Sequence, residues 1–594
     1  MRFAFVQFLQ ERLCQKYGLE NLEIPVDLCP PNFQGDVTVS CFPLAKATKR
    51  NPMAIAEDVK GLLDTHGDIV SVEVVKAFVN VTLRPSALMR DTVADEAALL
   101  AQVPLPPAER GKILIEFSAP NTNKPQHLGH VRNNTIGMST ASILERAGND
   151  LVRVNLVNDR GIHICKSMLA YQRFGNGATP ESTGKKGDHL VGDFYVAFDQ
   201  EFRRQVAELK AAHPELADKD GEELFLDTEI GRACQDMLVA WEQGNPEVRA
   251  LWQKMNQWVF DGFAVTYRRM GVRFDKTYLE SQTYLLGKDI VAEGLAKGVF
   301  QKREDGAVII QFADKSLGTK VVLRSDGTSV YVTQDLGTTL LKKRDFEPDR
   351  LIWVVGDEQK RHFQVLFAIL KALGYDWADR CVHQAYGMVN LPNGRMKSRE
   401  GTVVDADDLM DELEKLAREA TLEKAGGQAP ENLAERARVI AMAALKFMLL
   451  KVNPRTTLVF DPNASIKFEG DTGPYVLYAY ARISSMLRKA QEAGVTVNAP
   501  EWSLLTAHEE RALALRCALY PEAVQKAARE LDSSAIANYL LDLAKDFSSF
   551  YRACPVLAAE SAELKSARLA LSARVRTLLK DGLATLTIDT LENM

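Results

Sequence analysis

The feature that most constrains this chain is a strand–loop–helix–strand pattern that begins near residue 112. Residues 112–117 are apolar enough for a buried strand, and the polar, proline-containing segment 118–126 follows as a loop. Residues 127–145 have helical spacing, and Gly148 comes just beyond them as a C-cap, before a second strand at 151–157. This βαβ order predicts a parallel sheet with a right-handed crossover, and therefore a Rossmann-type α/β domain.

Helical units are predicted on both sides of the later strands. The predicted domains are an N-terminal α/β domain at 1–100, the parallel-sheet domain at 108–405 with a helical insertion at about 163–290, a helical connector at 406–455 and a C-terminal helical bundle at 456–594. In the bundle, an apolar stripe follows a cap at 532–534, and the last helix is predicted to end at Gly582.

Composition narrows the class of protein. The 594 residues are 46% hydrophobic and 26% charged, which is typical of globular chains, and no apolar stretch is long enough to span a membrane. The eight cysteines form no C-x-x-C pair and no secretory signal is evident, so we expect reduced thiols, a cytoplasmic protein and no structural metal. A net charge of −6 argues against non-specific coating of DNA, but a local basic face stays possible.

The first candidate functional cluster is the histidine pair at the start of the predicted helix. Open α/β sheets bind ligands where a strand passes into a helix, and a helix N-terminus favours phosphate. His127 and His130 are three residues apart, so both can donate hydrogen bonds to phosphoryl oxygens, while Gly129 allows close approach of a nucleotide. The alternative, two ordinary surface histidines, is disfavoured by the strand–loop–helix context.

The second cluster is the glycine-bounded segment 394–401. Lys397 and Arg399 place two cations within three residues, as a clamp on a transferring phosphate group requires. Taken alone, the segment is more typical of a basic surface loop.

Together and in this order, the two clusters resemble the two signature sequences of class I aminoacyl-tRNA synthetases. Residues 127–130 match the first signature and residues 396–399 match the second. The sequences of residues 116–132, 468–482 and 550–557 are similar to those of the arginyl-tRNA synthetases, and the resemblance covers essentially the whole chain. It implies ATP-dependent ligation of L-arginine to tRNA(Arg) through arginyl-adenylate, with Mg²⁺ assisting, by a cytoplasmic monomer that binds neither membrane nor DNA.

The resemblance also assigns residues to roles. The residues implied in ATP binding are Pro120, His127, Gly129, His130, Met388, Met396, Lys397, Ser398 and Arg399. Those implied in arginine binding are Glu116, Asn121, Tyr331, Asp335 and Gln359. Those implied in tRNA binding are Tyr475, Tyr478, Arg482, Tyr551 and Met594. Those implied in catalysis are His127, His130 and Lys397, and we add Lys124 to this group as our own candidate.

Chemistry supports part of this assignment. A guanidinium is a planar fork that requires carboxylates or carbonyl oxygens in its plane, and Tyr331 and Asp335 would share one face of a helical turn. Without the resemblance, Asp335 is more typical of a solvated carboxylate or a helix cap. Arg399 replaces the second lysine frequent in the second signature, so Lys124 is our candidate for an additional cation near the α-phosphate, the alternative being an exposed lysine.

Three other functions fit parts of the sequence. A small-molecule nucleotidylyltransferase on the same fold would not need the helical tail or the N-terminal unit. In a non-catalytic tRNA-binding relative, the intact 127–130 segment and Asp335 would be unexpected. A different class I synthetase would not need Glu116 together with Asp335.

Overall fold

A computed structural model describes residues 3–30, 32–284, 286–328, 330–392, 404–495, 497 and 500–594. Within those residues, no helix is long and apolar enough to cross a membrane.

The N-terminal domain is a four-stranded antiparallel sheet covered by helices. The strand order is β1-β2-β4-β3. The strands are β1 (Val26–Leu28), β2 (Val37–Ser40), β3 (Ile69–Val75) and β4 (Phe78–Leu83), and the helices are α1 (Ala4–Tyr17), α2 (Cys41–Thr48), α3 (Pro52–Leu63), α4 (Pro85–Met89) and α5 (Glu96–Leu100). Helix α1 buries Phe5, Leu9 and Leu13 and ends at Gly18, whose φ of 66° suits a glycine C-cap.

The central domain contains the predicted parallel sheet. Its first elements are β5 (Lys112–Glu116), α6 (Leu128–Arg146), β6 (Asp150–Val157), α7 (Ile162–Phe174), α8 (Pro180–Thr183), α9 (Gly187–Ala212), α10 (Glu229–Glu242), α11 (Pro246–Met270), β7 (Lys276–Leu279), α12 (Glu280–Thr283) and α13 (Gly287–Ala296). Its later elements are β8 (Gln301–Lys302), β9 (Val308–Gln311), β10 (Thr319–Leu323), α14 (Tyr331–Phe346), β11 (Arg350–Gly356), α15 (Lys360–Ala372), β12 (Cys381–Tyr386) and β13 (Val389–Asn390).

Five strands form this sheet in the order β12-β11-β5-β6-β7, and each neighbouring pair is parallel. The prediction of a parallel α/β sheet is therefore confirmed. Strands β8 to β10 form a separate antiparallel sheet. Helices α7 to α11 are inserted between β6 and β7, but the purely helical interpretation of the predicted insertion is wrong at 276–279, because these residues form the edge strand β7.

The C-terminal part is helical, as predicted. Its elements are α16 (Ala406–Lys424), α17 (Leu433–Leu450), β14 (Leu458–Val459), α18 (Pro462–Ser465), α19 (Gly473–Glu492), α20 (His508–Ala518), α21 (Tyr520–Glu530), α22 (Ser534–Ala553) and α23 (Ala562–Thr585). The predicted stripe on α22 is completely buried and consists of Ile536, Leu540, Leu543, Phe547 and Phe550.

The predicted end of the last helix at Gly582 is wrong. Helix α23 continues through Gly582 to Thr585. A Cβ atom at Gly582 would lie 2.6 Å from Leu540 Cδ2, so this glycine allows α23 to pack closely against α22.

Candidate active site

The loop that leaves β5 starts with two residues in a strained backbone conformation. Ser118 and Ala119 have φ values of 80° and 47°, in the left-handed region that non-glycine residues rarely adopt. Asn133 Oδ1 accepts a hydrogen bond from Ser118 N at 2.6 Å, and Asn155 Oδ1 accepts one from Ala119 N at 3.0 Å. The surrounding structure thus fixes a turn that directs residues 120–126 across the carboxyl end of the sheet.

The two predicted histidines form a capping box at the start of α6. His127 Nδ1 accepts a hydrogen bond from Gly129 N at 3.1 Å, and His130 Nδ1 accepts one from His127 N at 3.3 Å. Their ring centroids are 4.0 Å apart. Because each Nδ1 accepts from a backbone N–H, the proton of each neutral ring resides on Nε2, which can donate to a phosphoryl oxygen.

Burial keeps both imidazoles neutral. Desolvation, reinforced by the positive charge of Lys124, lowers the pKa of His127 to about 4. Desolvation also lowers the pKa of His130 to about 3, with His127 and Lys124 contributing. Lys124 itself is half-buried, and burial lowers its pKa. The structure therefore places the predicted lysine close enough to influence both rings electrostatically.

Gly129 is required by the cap itself. A Cβ atom here would lie 2.9 Å from His127 Cε1 and 3.0 Å from His127 Nδ1. The predicted reason for this glycine was close approach of a nucleotide, whereas the structure gives a second reason, namely room for the neighbouring imidazole.

Residues 396–399 of the second signature lie outside the described residues, so their predicted roles stay predictions. The chain on either side of the segment 393–403 contacts the first signature. Arg132 donates a hydrogen bond to Met388 O at 2.9 Å, Leu128 N donates to Val404 O at 3.0 Å, and Ala406 N donates to Gln126 O at 2.9 Å. The two flanks, which are distant in sequence from α6, therefore meet at its first turns.

A cavity of about 560 Å³ lies beside the 118–126 loop. Its walls include the predicted residues Asn121 and Tyr331, together with Glu242, Glu280 and Gln334. They also carry three cations, Arg160, Lys288 and Arg324, and Arg160 forms an ion pair with Glu242 at 2.8 Å. Burial raises the pKa of Glu280, and the charge of Arg160 opposes this shift. The cavity thus combines carboxylates, amide groups and cations at a size that suits a small molecule bearing both charges.

Asp335 lies one turn along α14 from Tyr331, as predicted, and its charge acts on Glu280. Asp335 Oδ2 lies 2.5 Å from Nε2 of His362 in the first turn of α15. His362 was not anticipated from the sequence, since nothing in its local pattern indicates a partner on another helix.

Three other predicted residues lie apart from this cavity wall. The buried carboxylate of Glu116 forms an ion pair with Lys342, whose side chain is buried on α14. Gln359 is exposed in the turn that follows β11. Pro120 is buried, and its carbonyl accepts a hydrogen bond from Asn158 N at 3.0 Å. Their predicted contacts with substrate stay predictions.

Comparison with known proteins resolves the family. The model of class I tRNA synthetases (R), catalytic domain, matches residues 96–462. An arginine–tRNA ligase of Bacteroides fragilis is 46% identical over 95% of this chain and 94% of its own length, and one of Porphyromonas gingivalis is 43% identical over 97% of each. This chain belongs to the class I arginyl-tRNA synthetase family.

The terminal domains and the fold agree with this family. The arginyl-tRNA synthetase N-terminal domain matches residues 4–83, and the DALR anticodon-binding domain matches residues 476–594. The solved arginyl-tRNA synthetase of Thermus thermophilus superimposes with a TM-score of 0.81 at 28% identity, covering 100% of this chain and 99% of that one. The Plasmodium falciparum arginyl-tRNA synthetase, at 18% identity and a TM-score of 0.75, shares the fold.

In the domain that this family uses for anticodon binding, the predicted aromatic and basic residues form one surface. Arg482 Nη2 donates a hydrogen bond to Tyr478 Oη at 3.0 Å, and the Arg482 guanidinium lies 5.3 Å from the ring centroid of Tyr551. Lys424 Nζ lies 4.2 Å from the ring centroid of Tyr478, and Tyr551 is 40% exposed. Such a surface suits stacking and cation–π contacts with unpaired bases.

The other two predicted tRNA-binding residues have different surroundings. Tyr475 is half-buried, and its hydroxyl lies 3.2 Å from Ser548 Oγ. Met594 is half-buried against the hydrophobic core. Both assignments stay predictions.

Proposed function

We propose that this chain ligates L-arginine to tRNA(Arg) in two ATP-dependent steps, through arginyl-adenylate, for protein synthesis. The observation that carries the proposal is the 118–126 loop, because it connects the cavity that contains Glu280, through Asn121, with a pair of neutral imidazole donors at His127 and His130. The first end suits a guanidinium and the second suits a triphosphate.

In the first step, a carboxylate oxygen of arginine attacks the α-phosphorus of ATP and pyrophosphate leaves with the electrons of the broken P–O bond. The Nε2–H groups of His127 and His130 donate to phosphoryl oxygens as charge develops, and the ammonium of Lys124 adds positive charge. This end of the site presents neutral donors and an ammonium, which do not ligate a hard cation, so we place Mg²⁺ on ATP as part of the substrate.

The amino acid is held by its side chain. We place the guanidinium against Glu280, which lines the cavity, and Asp335, whose charge acts on Glu280, with the Tyr331 hydroxyl as an additional partner. A neutral analogue would lose this charge pairing with the carboxylates, so citrulline should be rejected strongly.

In the second step, a terminal ribose hydroxyl of tRNA attacks the activated carbonyl carbon, and AMP leaves. The surface formed by Tyr478, Arg482 and Tyr551 binds the anticodon. The proposal includes a cytoplasmic monomer whose nucleic-acid partner is tRNA rather than DNA; light scattering after size-exclusion chromatography measures the oligomeric state.

Pyrophosphate exchange with each of the twenty amino acids and with citrulline, with and without tRNA(Arg), tests the proposal. We expect exchange with arginine, requiring tRNA, and none with citrulline or lysine. Exchange without any amino acid would indicate a nucleotidylyltransferase, and tight tRNA binding without exchange would indicate a non-catalytic relative.

A further inference from the structure

A buried polar cluster joins the inserted helices to the start of α16. Lys186, the residue that precedes α9, places Nζ 2.5 Å from Asp407 Oδ2, 3.0 Å from Asp188 Oδ2 and 2.6 Å from Thr266 Oγ1. On the next turn, His189 Nε2 lies 3.1 Å from Asp407 Oδ2 and 3.7 Å from Asp405 Oδ1. We call these residues, together with Arg269, the α9–α16 cluster.

The Lys186 ammonium lies between the two carboxylates of the cluster. Asp188 is completely buried, and Gly262 provides the room for it, since a Cβ there would lie 2.4 Å from Asp188 Oδ1. Asp188, His189 and Asp407 converge as metal ligands would, but the Lys186 ammonium already forms ion pairs with both carboxylates. Arg269 Nη1, 3.4 Å from Asp407 Oδ1, adds a second positive charge.

The carboxylates of the cluster hold backbone that touches the first signature. Asp405 caps α16 by accepting from Asp407 N at 2.7 Å, and its backbone pairs with that of His127 as an isolated antiparallel bridge. The hydrogen bonds from Leu128 N to Val404 O and from Ala406 N to Gln126 O complete this contact. Asp405 and Asp407 therefore connect α9 with the cap that orients His127.

Helix α9 also touches the loop on the other side of the histidines. A Cβ atom at Gly192 would lie 2.8 Å from Pro125 Cδ and 3.7 Å from Lys124 Cα. One helix of the insertion therefore packs on the loop before His127 and, through Lys186 and His189, holds the segment paired with it.

We propose that Lys186 and His189 are positioning residues for arginine activation, which hold residues 404–407 against the loop carrying His127. The expected kinetic effect rests on the proposed function, whereas the expected effect on residues 404–407 does not. Neither side chain contacts a reacting atom; each acts through Asp407. Misplacement of phosphate donors by about 1 Å costs about 100-fold in rate, so the expected effect lies in kcat rather than in the KM for arginine.

The variants are chosen to separate position from charge. Lys186→Met removes the ammonium that Asp188 and Asp407 share and leaves Arg269 beside Asp407. Lys185→Met is the matched control, because Lys185 is exposed and pairs only with Asp193 at 2.6 Å among the contacts described. His189→Ala removes one hydrogen bond from a half-buried residue and should fold, while His189→Gln keeps a donor near the Nε2 position.

Two measurements decide the outcome. In arginine-dependent pyrophosphate exchange, Lys186→Met and His189→Ala should lower kcat by about 10- to 100-fold with the KM for arginine within twofold, and His189→Gln should recover most of the loss. In hydrogen–deuterium exchange of the full chain, the amides of Leu128 and Ala406 should exchange at least about tenfold faster in Lys186→Met than in Lys185→Met.

Unchanged amide protection together with unchanged kcat in folded variants would overturn the inference. A rise in the KM for arginine equal to the fall in kcat would also overturn it, because it would indicate general loosening. If the wild-type chain shows no arginine-dependent exchange, the proposed function fails, while the amide measurement still decides whether the cluster holds these two segments together.

Discussion

Burial has opposite effects at the two ends of the 118–126 loop, the imidazole end at His127 and His130 and the cavity end beside Asn121. At the imidazole end, desolvation lowers the pKa values of His127 and His130, so both rings are neutral donors at pH 7. At the cavity end, burial raises the pKa of Glu280, and Asp335 raises it further. Burial therefore keeps the imidazole end uncharged, whereas the cavity end holds Glu280 close to a second carboxylate, Asp335, with Arg160 as a nearby positive charge.

The largest effect is expected from His130→Asn. The asparagine Oδ1 can still accept from His127 N, but the distal Nε2–H donor is lost. We expect kcat for pyrophosphate exchange to fall by about 10²- to 10³-fold, with the melting temperature nearly unchanged. His213→Ala on the exposed surface is the control. Equal losses in both variants would show that the loss is not specific to the imidazole end.

Asp335→Asn tests the cavity end. Loss of the charge should raise the KM for arginine by about 30-fold or more and leave the KM for ATP unchanged, because the guanidinium loses its charged partner. Glu347→Gln, at the end of the same helix, is the matched control. An equal rise in both KM values would show that Asp335 supports the whole cleft rather than the amino acid.

Lys124→Ala tests whether the positive charge of Lys124 contributes to phosphate binding at the imidazole end. Activation should fall by about 10- to 100-fold, since a charge-assisted contact to phosphate is lost, while tRNA affinity stays within twofold. Pyrophosphate exchange and a filter-binding assay on the same preparation measure the two quantities. Equal loss of activation and tRNA binding would reject this role for Lys124.

Glu280→Gln, also at the cavity end, should have a smaller effect on arginine binding. The KM for arginine should rise by about tenfold at neutral pH, as expected for one charged hydrogen bond. In the wild type, arginine affinity should weaken as pH falls through the raised pKa of Glu280, because the carboxyl group becomes neutral. A variant whose pH dependence matches that of the wild type would assign this titration to another group.

The smallest effect is expected from pH at the imidazole end. Both histidine pKa values lie below the ordinary 6.5, so the unfolded chain binds more protons between the folded and unfolded values. The stability that these rings contribute is therefore complete above about pH 6.5 and lost progressively as pH falls through about 4 for His127 and about 3 for His130. Imidazole NMR signals of His127 and His130 should not titrate above pH 5; a midpoint near 6.5 would contradict their burial.

The sequence allowed prediction of those parts of the fold that local periodicity determines. The β5–α6–β6 unit and the buried stripe on α22 repeat at intervals that a single chain segment displays. The capping histidines were also identifiable, because a strand, a polar loop and a helix start follow one another directly.

Contacts between distant segments were not predictable in this way. Lys342 reaches Glu116 from a helix 226 residues along the chain, and His362 reaches Asp335 from a neighbouring helix. Gly582 has a typical stop signal, but packing against Leu540 overrides it. Glu280 offered a usable signal, since it directly follows β7, although that strand lay within residues interpreted as helical insertion.

The crowding at Gly129 has a consequence for how this segment tolerates change. Because the obstacle is the ring of His127 rather than any nucleotide, alanine at this position would disturb the helix start even in the substrate-free protein. A measurement of stability alone would therefore already register a cost for larger residues here, before any catalytic selection was applied. Sequence invariance at this position would thus reflect the construction of the histidine pair as much as the shape of its substrate.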